Sequence, residues 1–128
     1  MHYAMPNFPC EFKIPDAWLG EAGIDGFTRT SSAYRSSAEA AIVPLSTIEP
    51  PYRSPSHPKD WRGFDRERLI SILRGIAAGI EIEPVPLWEL PAGTFVVPAP
   101  YRYRVNNGFH RYYASIVVGF ECLPGAIV

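Results

Sequence analysis

Tyr103-Arg104-Val105-Asn106-Asn107-Gly108-Phe109-His110-Arg111-Tyr112-Tyr113-Ala114-Ser115 carries two periodicities joined at one corner. Up to Val105 the pattern has period two: Tyr101, Tyr103 and Val105 share one face of a strand, and Arg102 and Arg104 share the other. From Phe109 the pattern becomes helical over residues 109–118, and Gly119 stops it. A helix that begins directly after a strand presents unpaired backbone N–H groups in its first turn, and the helix dipole places about half a positive charge there. Such a corner suits a phosphate or another anion. Gly108 permits close backbone approach and unusual φ, while Asn106 and Asn107 tolerate left-handed backbone and are expected to cap the helix. His110 and Arg111 fall in the first turn. A cation there opposes the dipole at a cost of ~0.3–1 kcal/mol. Arg111 is therefore expected to have a partner, either a protein carboxylate or a bound phosphate, for which its planar fork is suited. His110 can donate a hydrogen bond or move a proton near neutral pH.

Upstream, Asp65 fits a helix N-cap. Glu67 favours the positive dipole end, and Phe64 with Leu69 forms a hydrophobic staple. Leu69, Ile72, Leu73 and Ile76 make an i, i+3, i+4, i+7 stripe, Gly79 ends the helix, and Arg66 and Arg74 are expected to face water. Residues 82–90 read as a strand that Pro84 and Pro86 confine to an edge or its start. Residues 91–93 read as a turn and 122–128 as a final strand. Residues 41–45 form an earlier apolar strand, followed by a proline-rich connector over 49–58. Nearer the N-terminus, 11–14 alternates like a short strand. Residues 19–40 read as a long loop with a turn of helix near 36–41. The order strand, helix, strand, strand, helix, strand predicts an α+β fold, a small mixed β-sheet with two main helices. Residues 1–40 are expected to pack as an extension on a domain formed by 41–128.

The 128 residues suggest one domain able to bury a core without metal or disulfides. Net charge is −1, so the whole molecule is no polycation. The distribution is less even: between Pro91 and Phe120 the only charged side chains are Arg102, Arg104 and Arg111. Either a local positive patch or an ordinary mixed surface follows from that. Cys10 and Cys122 lack metal-ligand spacing and read as free thiols of a reducing compartment. No apolar run is long enough to span a bilayer, and Met1–Pro6 lacks the basic flank and apolar core of a secretory signal. The expected location is cytoplasmic.

Other residues bear on chemistry more weakly. His57 lies in the proline-rich connector and reads as a solvated loop histidine. Glu81 and Glu83 share a strand face, which more often means a wet face than a Mg²⁺ site. Tyr101, Tyr103, Tyr112 and Tyr113 are candidates for stacking on bases, with core packing the commoner role.

From about residue 42 to 128 the sequence resembles the ParB/sulfiredoxin superfamily. The features that carry the likeness run in order. Val43-Pro44-Leu45, Ile48 and Pro50-Pro51-Tyr52-Arg53 match an opening strand and basic loop. Phe64-Asp65 and the following helix match its first helix, and Pro84-Val85-Pro86-Leu87 a strand. Gly108-Phe109-His110-Arg111 through Ala114, with Gly119 and Leu123-Pro124, match the corner and the end of the domain. The resemblance implies a corner that binds nucleotide phosphates or lies against DNA. By that likeness Gly108, His110 and Arg111 would contact phosphate, and Arg53 would help close the site; Asn107, beside them in the corner, is a further phosphate-binding candidate. Phe109 stands where sulfiredoxins carry their catalytic cysteine, so repair of oxidised peroxiredoxin is not implied. Phe109-His110-Arg111 also lacks the acidic residue that precedes the paired arginines of ParB, and no helix-turn-helix domain fits in this length.

Two functions follow as expectations. The first is DNA binding of low sequence specificity, with Arg53, Arg102, Arg104 and Arg111 adding charge. A second copy of the chain would double such contacts, although no interface is marked. The second is a nucleotide-dependent phosphotransferase or nuclease with His110 as acid or base and Glu49 or Glu83 holding Mg²⁺. No metal site is predicted from the residues themselves. A third reading, an interaction module, uses the 19–40 loop as its contact surface.

Overall fold

In a computed structural model, which describes residues 1–6, 11–51, 64–91 and 101–128, the side chain of Asp65 accepts a hydrogen bond from the Arg68 amide at 3.0 Å and starts a helix over Arg66–Ala77. Ala78 caps it, and Gly79 follows at φ 71°. The second long helix, Phe109–Val118, ends at Gly119 with φ 91°. A third helix, Asp16–Ala22, precedes both, so in chain order the helices are α1 (Asp16–Ala22), α2 (Arg66–Ala77) and α3 (Phe109–Val118). The strands are β1 (His2–Ala4), β2 (Glu11–Lys13), β3 (Ala41–Pro44), β4 (Ile48–Glu49), β5 (Val85–Glu89), β6 (Tyr103–Val105) and β7 (Cys122–Ile127). One 3-10 turn, Leu45–Thr47, links β3 to β4.

β1 and β2 pair antiparallel as a separate ribbon. The other five strands form a mixed sheet in the order β3-β7-β5-β6-β4. The pairs β3/β7 and β5/β6 are antiparallel, while β5/β7 and β4/β6 are parallel. This is an α+β fold. Val43, Val85, Leu87 and Leu123 on one sheet face join Leu69, Leu73, Ile76, Tyr112 and Tyr113 of α2 and α3 in a single core. Ile42 and Trp88, at alternate positions, point out the other way and stay exposed. Among the described residues no helix is long and apolar enough to cross a membrane.

Several expectations are corrected. Residues 19–22 belong to α1, whose Trp18, Leu19 and Ala22 are buried; Gly23 ends it in left-handed backbone. No helix forms near 36–41. Ser36 instead makes an isolated parallel bridge with Ile82, and β3 begins at Ala41. β5 is shorter than 82–90 and lies in the middle of the sheet. Pro86 is tolerated there because its ladder with β6 ends at the Leu87–Val105 pair. Its carbonyl still accepts the Asn106 amide at 2.9 Å, and only the N–H on that same side is missing. Arg66 and Arg74 do not simply face water. Arg66 pairs with the Glu21 carboxylate, and Arg74 donates to the Glu21 carbonyl at 3.0 Å, so both tie α2 to α1.

Met5, Phe12, Ile14, Trp18, Leu19, Ala22 and Tyr34, ahead of β3, are part of the same core. Phe12 is 1% exposed and meets the Tyr3, Phe64 and Tyr113 rings at centroid distances of 5.4, 5.9 and 5.0 Å. Removing its ring leaves a cavity between the N-terminal ribbon and both long helices. Phe12→Ala is expected to destabilise the whole chain by about 3–5 kcal/mol in denaturant unfolding, in one transition rather than by release of the N-terminal segment alone.

Candidate functional site

The corner is built by Gly108. It is the N-cap of α3 at φ 116° and ψ 34°, and no side chain caps the helix, so Asn106 and Asn107 do not take the capping role expected of them. A β-carbon on Gly108 would fall 3.1 Å from Nη2 and 3.2 Å from Nε of Arg111, and 3.2 Å from Val85 Cγ1. Glycine therefore serves both backbone conformation and the close seat of the guanidinium.

Arg111 is one wall of a cleft, with 14% of its side chain exposed. Its Nη1 donates to the carbonyls of Glu83 at 3.1 Å and Pro84 at 2.7 Å. The Glu83 carboxylate lies 4.0 Å away and is itself largely in solvent. Tyr34 donates its hydroxyl to the same Glu83 carbonyl at 2.6 Å and also touches Arg111. Burial pushes the Tyr34 phenol up to about 12 against the opposing pull of Arg111. The partner of Arg111 is thus main chain first and a carboxylate only at the limit of contact. Carbonyls satisfy its N–H groups without cancelling its charge.

His110 is buried, packed edge-on against Phe109 and Phe64 at centroid distances of 5.2 and 6.1 Å. Its Nε2 accepts the Asp65 amide at 2.8 Å. The first turns of α2 and α3 are therefore joined through this ring. Asp65 is held below the ordinary carboxylate range, chiefly by the Arg68 amide, with the Arg68 charge adding to it. The ring nitrogen that a general base would use is committed to the fold, and His110 acts as a joint.

A cleft of about 550 Å³ opens beside the corner. Val105 to Arg111 line it, together with Ile82 and Glu83, and with Arg68 and Ile72 from α2. Among the described residues Arg68 makes no salt bridge. Asn107, Gly108, His110 and Arg111 thus meet as expected. Arg102 and Arg104 do not: they alternate with Tyr103 and Val105 and sit on the opposite face of β6 from the cleft-lining Val105. Arg104 is paired with Glu49 at 3.0 Å across the β4/β6 ladder, and Arg102 lies 5.6 Å from the Tyr103 ring centre. The Arg102–Arg104–Arg111 patch is therefore split between two faces. Glu49 is engaged by Arg104, and among the described residues no group of three His, Cys, Asp or Glu side chains is placed to hold a metal ion. Arg53, His57 and Cys10 lie outside the described residues. Arg68 carries no mark in the sequence, where it reads as one more solvated arginine of a helix.

No protein family matches this chain, and no curated protein or solved structure of significant similarity was found.

Two outcomes follow from this geometry. Gly108→Ala should cost on the order of 1–3 kcal/mol in thermal or denaturant unfolding, because the left-handed φ and the displaced guanidinium are both penalised. Asp65→Asn keeps a capping oxygen but removes a titrating group. With a folded pKa below the ordinary value, Asp65 stabilises the fold above its unfolded pKa and loses that contribution as pH falls through the folded pKa. The parent should exceed Asp65→Asn in denaturation midpoint at neutral pH, and the gap should close in strong acid.

Proposed function

We propose that this chain is a ParB-like DNA-binding protein of low sequence specificity, which holds backbone phosphates at the Asn107–Arg111 corner. The observation that carries the reading is the open cleft beside that corner, where the charge of Arg111 is supported by neutral carbonyls and joined by that of Arg68, which makes no salt bridge among the described residues. Among the described residues Glu83 is the sole acid lining the cleft, and its carboxylate points largely into solvent. Exposed negative charge of that kind is screened more than the half-enclosed guanidinium. The resemblance of residues 42–128 to ParB-like domains supports the same assignment. The phosphotransferase or nuclease reading has less behind it, since the Nε2 of His110 is spent on the Asp65 amide and Glu49 on Arg104.

A titration of isotope-labelled protein with duplex and single-stranded DNA tests this directly. Amide shifts should move at Val105–Arg111 and around Arg68. The logarithm of the binding constant should fall linearly with the logarithm of salt, by about 0.7–0.9 per phosphate contacted. Arg102→Gln, outside the cleft, should change little. Absence of any shift with DNA at low salt would remove the proposal.

A further inference from the structure

The cleft has two chemically different parts. Arg68 and Arg111 bring positive charge from α2 and α3. Ile72, Ile82 and Val105 bring apolar surface, and each is only partly buried. Ile72 is the informative member. Its place in the helical stripe suggests a core residue, yet the buried side chains of α2 are Leu69, Ile70, Leu73 and Ile76. Ile72 lies one turn from Arg68 on the same helix face and looks into the cleft with it. The occupant that matches such a lining is a phosphate joined to a flat group with apolar faces.

Duplex DNA meets that description poorly. It offers phosphates at its surface, but its bases are paired and stacked inside, beyond reach of a floor within a cleft of about 550 Å³. An unpaired strand can turn a base out onto an apolar surface while its phosphate stays among cations. Resting on the DNA-binding reading above, we infer that the cleft takes single-stranded DNA in preference to duplex, with Arg68 and Arg111 flanking one phosphate and the adjoining base lying on Ile72, Ile82 and Val105. Arg68 is then a ligand-binding residue.

Fluorescence anisotropy of the full chain with one labelled oligonucleotide, alone and annealed to its complement, tests the inference. The single strand should bind about tenfold tighter than the duplex at equal salt. Arg68→Gln should weaken single-strand binding about fivefold to tenfold and lower the salt slope by about 0.7, the share of one phosphate contact. Arg68→Lys should restore the slope, which a purely structural role of Arg68 would not require. Ile72→Asn should narrow the gap between strand and duplex while keeping the slope. Duplex binding as tight as single-strand binding, with shifts still at the corner, overturns the inference and leaves the DNA-binding reading standing. A parental slope in Arg68→Gln overturns the role of Arg68. Binding of neither form by the parent chain overturns both readings together.

Discussion

The hydrogen bond from the Asp65 amide to Nε2 of His110 fixes where the two long helices begin relative to one another. It spans 45 residues of sequence and closes inside a cluster of Phe64, Phe109 and Tyr113. An imidazole nitrogen that accepts an amide hydrogen must carry a lone pair, so the joint requires that nitrogen unprotonated. Protonation there would set donor against donor in a buried place, a costly arrangement. The chemistry of the ring is therefore subordinate to its architecture. Because the joint holds the first turns of α2 and α3 together, it also sets the separation of Arg68 and Arg111, which lie in those turns.

Partners, rather than position in the sequence, sort the arginines. Arg66 and Arg104 meet carboxylates, Glu21 and Glu49, and their charge is largely answered at short range. Arg111 meets carbonyls, which hold it in place and leave its charge to act over the cleft. The distinction matters because surface ion pairs contribute little to stability yet strongly reduce the local field. A run of arginines free of acids in sequence is thus no guide to a continuous patch. Arg102 and Arg104 are separated from Arg111 by the pleat of β6, and Glu49 arrives from a strand more than fifty residues away.

The long helices and most strands of the main sheet were legible because each is announced locally: an N-cap aspartate, an i, i+3, i+4 pattern, a terminal glycine, or period-two alternation. α1 was not, since two turns give too short a period to recognise and Pro15 offers no capping side chain. β4 has only two residues and exists through its partner β6. The prolines confine β5 to an edge or themselves to its start, because proline removes a ladder donor, and the second alternative holds: Pro84 precedes Val85 and Pro86 is the second residue of a central strand. Whether that loss matters depends on where the neighbouring strand ends, which one sequence does not state. For the site, the contiguous corner could be read directly, whereas Arg68 could not: an exposed arginine in a first turn looks the same whether it faces bulk water or a cleft. The stripe position of Ile72 conceals that it is only partly buried for the same reason. Tertiary placement, not residue type, made these two side chains part of the site.

Residues ahead of β3 also support the site. The carbonyl of Glu83 accepts from Arg111 at 3.1 Å and from Tyr34 at 2.6 Å, so both of its lone pairs are used. Tyr34 can serve only as part of a buried phenol whose ionisation is pushed up to about 12, which keeps it a donor across the whole range in which proteins work. The segment that carries it is stitched down at Arg35 and Ser37 on Ile82, and at Ser32 on Cys122. Arg111 is thus backed by a carbonyl whose orientation depends on residues far upstream of the corner. The layer that holds the cleft's principal cation still therefore begins well before residue 41.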